Sequence, residues 1–240
     1  MKKQGRILVV DDTESWREHL VEKLEQDGFH VEAVSSATEV RTRLEEALYH
    51  LVVLDICLDG TDESNTDGIG LLRELGTRGL SDAVKIIMLS GVGTKEQMRM
   101  AFKDYGVTDF MPKQEFNRQE FLQGVHKALS RINLALDIIW MQTKKSEQAV
   151  LSLEFDGARV ERNTPLSKRM IAELEDLLCR LFCEAKGILV RPLTPTPSRS
   201  GAGVLWVQPF YAAGGGHAVA VKFGHFPKIE TEARNFEEFV

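Results

Sequence analysis

Apolar residues in the first half of the chain come in short runs separated by amphipathic stretches. Arg6-Ile7-Leu8-Val9-Val10, His30-Val31-Glu32-Ala33-Val34, Leu51-Val52-Val53-Leu54, Val84-Lys85-Ile86-Ile87-Met88-Leu89 and Thr108-Asp109-Phe110-Met111 read as five strands. Three of these are continuous β-branched and Leu-rich runs, as expected of strands covered on both faces. Residues 14–27, 37–48, 68–75 and 95–104 carry helical spacing, with Gly28, Gly76 and Gly106 where helix C-caps belong. With a further helix after Lys113, the alternation predicts an α/β fold built on a doubly wound, five-stranded parallel sheet. Ligands of such a sheet bind outside the carboxyl ends of its strands.

The pattern then changes. Residues 116–145 contain no proline and one glycine, Gly124, and Leu122, Val125, Leu129, Ile132, Leu136 and Ile139 follow alternating three- and four-residue steps. This predicts a helical stalk over 131–146, continuous with the last helix of a domain over 1–130. A second chain pairing through 122–140, or packing against the domain that follows, would cover its outer half. Residues 147–240 read as a smaller α+β domain. Leu151, Leu153 and Phe155 alternate toward an Asp156-Gly157 turn, and 167–186 is amphipathic through Ile171, Leu174, Leu178 and Leu181. Three strands follow, over 188–193, 204–207 and 218–222.

Composition narrows the function classes. In 240 residues, 30 Lys+Arg stand against 36 Asp+Glu, with 43% hydrophobic content, which is a globular composition. Residues 1–130 carry 16 basic and 23 acidic side chains, and the remainder 14 and 13. Neither half is the basic body that nucleic-acid binding requires. The longest apolar runs are too short for a membrane span, and the start lacks a signal-peptide pattern. Three cysteines point to a reduced, cytoplasmic setting, and Cys179 and Cys183 lack the further ligands of a zinc site. No hydrolase motif surrounds Ser or His.

The strand ends hold the chemistry. Asp11 and Asp12 follow the first strand, Asp55 the third, Ser90 ends the fourth and Lys113 follows the fifth. Three carboxylates, a hydroxyl and an ammonium thus converge on one sheet edge. Crowded carboxylates call for a hard divalent cation with oxygen ligands. In order and spacing these positions resemble the receiver domain of bacterial response regulators, over about residues 5–130. The resemblance implies that Asp55 accepts a phosphoryl group as an acyl phosphate, that Asp11, Asp12, Asp55 and the Cys57 backbone carbonyl hold Mg²⁺, and that Ser90 and Lys113 contact the phosphoryl oxygens. Phe110 matches the aromatic switch position. It further implies a sensor histidine kinase or phosphotransfer protein as donor, and a signalling phosphoacceptor in place of an enzyme with its own substrate. Two departures stand out: a longer loop after Asp55, rich in Asp, Glu, Ser and Thr, and Gln114 where the family usually has proline after the lysine.

Residues 187–240 more weakly resemble the N-terminal lobe of kinase-like phosphotransferases. Ser200-Gly201-Ala202-Gly203 would match a phosphate-covering loop, Lys222 in Val-Ala-Val-Lys a phosphate-orienting lysine, and Glu232 its helix partner. With Val240 as the last residue, no catalytic or metal-binding Asp motif follows, so the expectation is a binding module or an excised part of a longer enzyme. The reading is a cytoplasmic two-component response regulator whose phosphorylation switches the association of its output region. The alternatives are a receiver fused to part of a phosphotransferase, or a constitutive scaffold.

Overall fold

The computed structural model describes residues 5–59, 66–77, 84–91, 101, 103–141, 149–151, 153–155, 158–193, 202–224, 229–231 and 233–234. The chain divides into two compact units, 1–131 and 132–240.

In the first unit β1 (Arg6–Val10), β2 (His30–Val34), β3 (Leu51–Leu54), β4 (Lys85–Ser90) and β5 (Asp109–Pro112) form one sheet in the order β2-β1-β3-β4-β5, all neighbours parallel. Strand β3, and β1 and β4 after their first residues Arg6 and Lys85, are nearly solvent-free. Their continuous apolar runs therefore feed two cores. On one face Leu8, Val10, Val52, Leu54, Ile86 and Met88 pack with Val40 of α2 (Ala37–Glu46) and Leu71, Leu72 and Leu75 of α3 (Asp67–Thr77). On the other, α1 (Glu14–Gln26) and α4 (Arg118–Leu129) bury Leu20, Leu24, Phe121 and Val125. Covering both faces this way makes the sheet doubly wound. Gly28 follows α1 at φ +91°, a conformation that favours glycine. Gly76, expected past a helix end, lies inside α3. Most of 95–104 falls outside the described residues.

Among the described residues of the predicted stalk, 131–141, there is no helix. Helix α4 ends at Leu129, and its buried stripe is Phe121, Val125, Ala128 and Leu129, not Leu122. Asn133 turns the chain: its amide accepts from the Ala135 N–H and donates to the Ala185 carbonyl at 2.6 Å, while its own N–H bonds Cys179 O. Asparagine competes with helical backbone bonding in this way. The following Asp137–Trp140 is strand β6, so the pairing of two chains through a helix over 122–140 is overturned. The β-branched Ile138-Ile139 pair suits a strand as well as it suits a heptad stripe, and periodicity alone does not separate the two.

In the second unit, β6 pairs parallel with β9 (Gly187–Pro192). Strand β9 pairs antiparallel with β10 (Gly203–Tyr211), which in turn pairs with β11 (Gly214–Gly215) and β12 (Val219–Phe223). A small hairpin, β7 (Glu154–Phe155) with β8 (Ala158–Arg159), precedes α5 (Pro165–Leu181). Thr164 and Ser167 form a reciprocal capping box with Pro165 at the first turn, which starts α5 earlier than its apolar stripe suggested. Leu174, Leu178 and Cys179 are its buried apolar residues, whereas Leu181, placed on the core stripe by spacing, is exposed.

Candidate functional site

The carboxyl edge of the first sheet holds the predicted constellation. The ladder carries Asp11 and Asp55 into place: Asp11 N–H bonds Val34 O at 3.2 Å and Asp55 N–H bonds Val10 O at 2.9 Å. Ser90 ends β4, paired with Pro112 of β5. Lys113 opens a 3₁₀ turn, Lys113–Glu115, for which Pro112 supplies the N-cap at φ −65°.

These side chains meet around Asp55, which is 4% exposed. Ser90 Oγ donates to Asp55 Oδ1 at 2.6 Å, and Cys57 N–H reaches the same oxygen at 3.3 Å. Lys113 Nζ donates to Asp55 Oδ2 at 2.5 Å and lies 2.7 Å from Asp11 Oδ2. Asp11 Oδ1 accepts from Thr13 N–H at 2.9 Å. Asp12 is half-buried, with Thr13 Oγ1 at 3.3 Å. One carboxylate oxygen from each of Asp11, Asp12 and Asp55 lies within 4.8 Å of the others. Three carboxylates facing one ammonium is an oxygen donor set suited to a hard divalent cation.

Electrostatics follows from burial. Removal from water pushes the Asp11 carboxyl above its ordinary range, a rise that contact with Lys113 only partly offsets. Burial alone would lower Lys113, but its bonds to Asp11 and Asp55 outweigh that and raise it. Burial also raises the half-buried Cys57 thiol, which donates to Asp59 O.

The supporting roles of several residues escaped the sequence reading. The Arg17 guanidinium donates to the carbonyls of Asp11 and Asp12 at 2.7 and 2.8 Å, pinning the acidic pair from one turn inside α1. Gly68 packs against the backbone of Asp55 and Ile56 so closely that a Cβ would overlap Asp55 O. Trp16 presents its ring 5.3 Å from Lys113 Nζ. Gln114 Nε2 donates to Gly91 O at 2.7 Å. The Thr and Arg close behind Asp11-Asp12 were the available signals; nothing local announced Trp16.

Phe110, on β5 opposite Met88, is half-buried and packs against the core of the α2–α3 face. Gly203 and Lys222 belong to the second unit. Gly203 lies opposite Phe223, whose ring fills the space a Cβ would take, so packing already explains the glycine. Lys222 is exposed opposite Val204. Gly201 and Glu232 lie outside the described residues.

A parallel five-stranded sheet whose carboxyl edge gathers an acidic triad, a serine and a lysine has the layout of a signalling receiver domain. The family model described as "Response regulator receiver domain" matches residues 7–126, and the chain belongs to that family. An NtrX-like response regulator of Rickettsia conorii is 30% identical over 180 residues, covering 75% of this chain and 35% of that protein. The regulatory protein VirG of Agrobacterium fabrum is 33% identical over 123 residues, covering 51% and 45%. Among solved structures, the chemotaxis protein CheY4 of Vibrio cholerae is 21% identical, with a TM-score of 0.46 over 52% of this chain and 99% of that one. The chain spans less than half the length of these two curated relatives. Among the described residues no helix is long and apolar enough to cross a membrane.

Proposed function

We propose that this chain is a two-component response regulator that accepts a phosphoryl group on Asp55. The observation that carries the reading is the engagement of both Asp55 oxygens by the donors Ser90 and Lys113, beside Asp11 and Asp12. In the transfer, an Asp55 oxygen forms a bond to phosphorus while the bond from phosphorus to a donor histidine nitrogen breaks, its electron pair returning to the imidazole. Ser90 and Lys113 then contact the phosphoryl oxygens in place of the free carboxylate. Mg²⁺, held by Asp11, Asp12, Asp55 and the Cys57 carbonyl, supplies neutralisation of the negative charge gathered there. The donor is a sensor histidine kinase or phosphotransfer protein, and the setting is cytoplasmic.

The signal leaves through Ser90 and Phe110. Drawing Ser90 toward a phosphoryl group opens space beside β4 into which the Phe110 ring turns, altering the surface around β4 and β5. The second unit is the output, an interaction module whose association that surface controls. The chain thus acts as a signalling phosphoacceptor, with no separate substrate of its own.

The test is phosphorylation with acetyl phosphate and Mg²⁺, read by intact mass. One phosphoryl group that is lost in Asp55→Asn supports the assignment. Uptake that survives at another residue refutes it.

A further inference from the structure

Strands β4 and β5 stop pairing at Ser90 and Pro112, the last residues in register. Pro112 has no N–H to extend the ladder, and the chain turns at once into the 3₁₀ segment. Beyond that rung a bond from the Gln114 side-chain amide to the Gly91 carbonyl, at 2.7 Å, joins the two site loops. Gly91 directly follows Ser90, and Gln114 directly follows Lys113. The two donors to Asp55 therefore sit one residue inside a side-chain bridge.

We infer that Gln114 is a positioning residue that holds the Ser90 and Lys113 loops at a fixed spacing, so that both donors meet a phosphoryl group on Asp55 together. This rests on the phosphoacceptor reading of Asp55. Without the bridge this tie between the peptide after Ser90 and the lysine loop is lost, and the two donors are ordered less tightly together when the group arrives. The cost falls mainly on phosphoryl binding, because the acidic pair Asp11 and Asp12 also takes support from Thr13 and Arg17, which the bridge does not touch.

The experiment uses the full chain and calorimetric titration with two probes, Mg²⁺ alone and beryllofluoride in saturating Mg²⁺. Gln114→Met keeps the side-chain length without the donor, and Gln114→Lys restores a donor of similar reach. In Gln114→Met, beryllofluoride affinity should fall roughly threefold to tenfold, the range of one lost hydrogen bond, with Mg²⁺ affinity within about twofold of the parent. Gln114→Lys should recover most of the loss. Unchanged beryllofluoride affinity in Gln114→Met overturns the inference. So does a parallel fall in Mg²⁺ affinity and Tm, which would mark a general structural strut. A parent chain that binds Mg²⁺ but no beryllofluoride is a different result, refuting the phosphoacceptor reading itself.

Discussion

Lys113 Nζ stands 2.7 Å from Asp11 Oδ2 with both side chains almost out of solvent, at 10% and 2% exposure. The same ammonium reaches Asp55 Oδ2 at 2.5 Å, so one cation neutralises part of a triad that would otherwise repel itself. Lys113 thus supplies positive charge to the same carboxylates that a divalent cation bound there would neutralise.

Removing it should expose that role. Lys113→Met is expected to destabilise the metal-free protein by about 3 kcal/mol, since breaking a buried ion pair strands the remaining charge. Added Mg²⁺ should restore much of the loss. Urea unfolding of parent and variant, with and without Mg²⁺, measures both; a variant whose deficit ignores Mg²⁺ would contradict the shared role.

The pH dependence has two arms. The folded pKa of Lys113 lies above its ordinary 10.5, so its stabilisation is complete below that value and is lost as pH rises through the higher folded one. Asp11 is raised above 3.8, so the fold favours its protonated form, and stability declines as pH climbs from 3.8 through the raised value. Asp11→Asn should therefore melt higher than the parent at neutral pH without metal, yet bind Mg²⁺ more weakly. Thermal melts from pH 3 to 11 check the signs.

Trp16 offers a built-in reporter. Its ring lies 5.3 Å from Lys113 Nζ, so drawing the ammonium toward a phosphoryl mimic should change its emission. Titration with beryllofluoride and Mg²⁺ should give a saturable fluorescence change that disappears in Trp16→Phe. A change that persists would have to come from Trp140 or Trp206.

Two glycines of α3 should respond oppositely to alanine. Gly68→Ala would drive a methyl into the carbonyls of Asp55 and Ile56, costing about 2 kcal/mol or more and displacing the Asp55 loop. Gly70→Ala meets nothing within 4 Å and should stabilise the helix by about 0.5–1 kcal/mol. Denaturant midpoints together with acetyl phosphate uptake distinguish the pair; equal effects would mean that the Gly68 contact relaxes freely.

The first sheet was legible because burial on both faces leaves continuous apolar runs, and because each chemical group directly follows one of them. The second unit was less so. Ile132, Leu136 and Ile139 fit a heptad stripe, whereas the bonds of Asn133 to Cys179 and Ala185 and the pairing of 137–140 with 187–190, all far along the chain, go with a turn and a strand. The partners of the site were hidden for a similar reason. Trp16, Gly68 and Gln114 touch Lys113, Asp55 and Gly91 across the fold, and such contacts leave no local pattern.

The parallel pairing of β6 with β9 also bears on how the chain comes off the ribosome. Ile138, Ile139 and Trp140 are made about fifty residues before the strand they pair with, a long-range closure that folds slowly compared with local contacts. The acidic domain ahead of them is complete by then and folds as a unit, leaving a short sticky segment waiting at its end. Truncation between Trp140 and Gly187 would make that wait permanent, so fragments ending there should aggregate where the full chain does not.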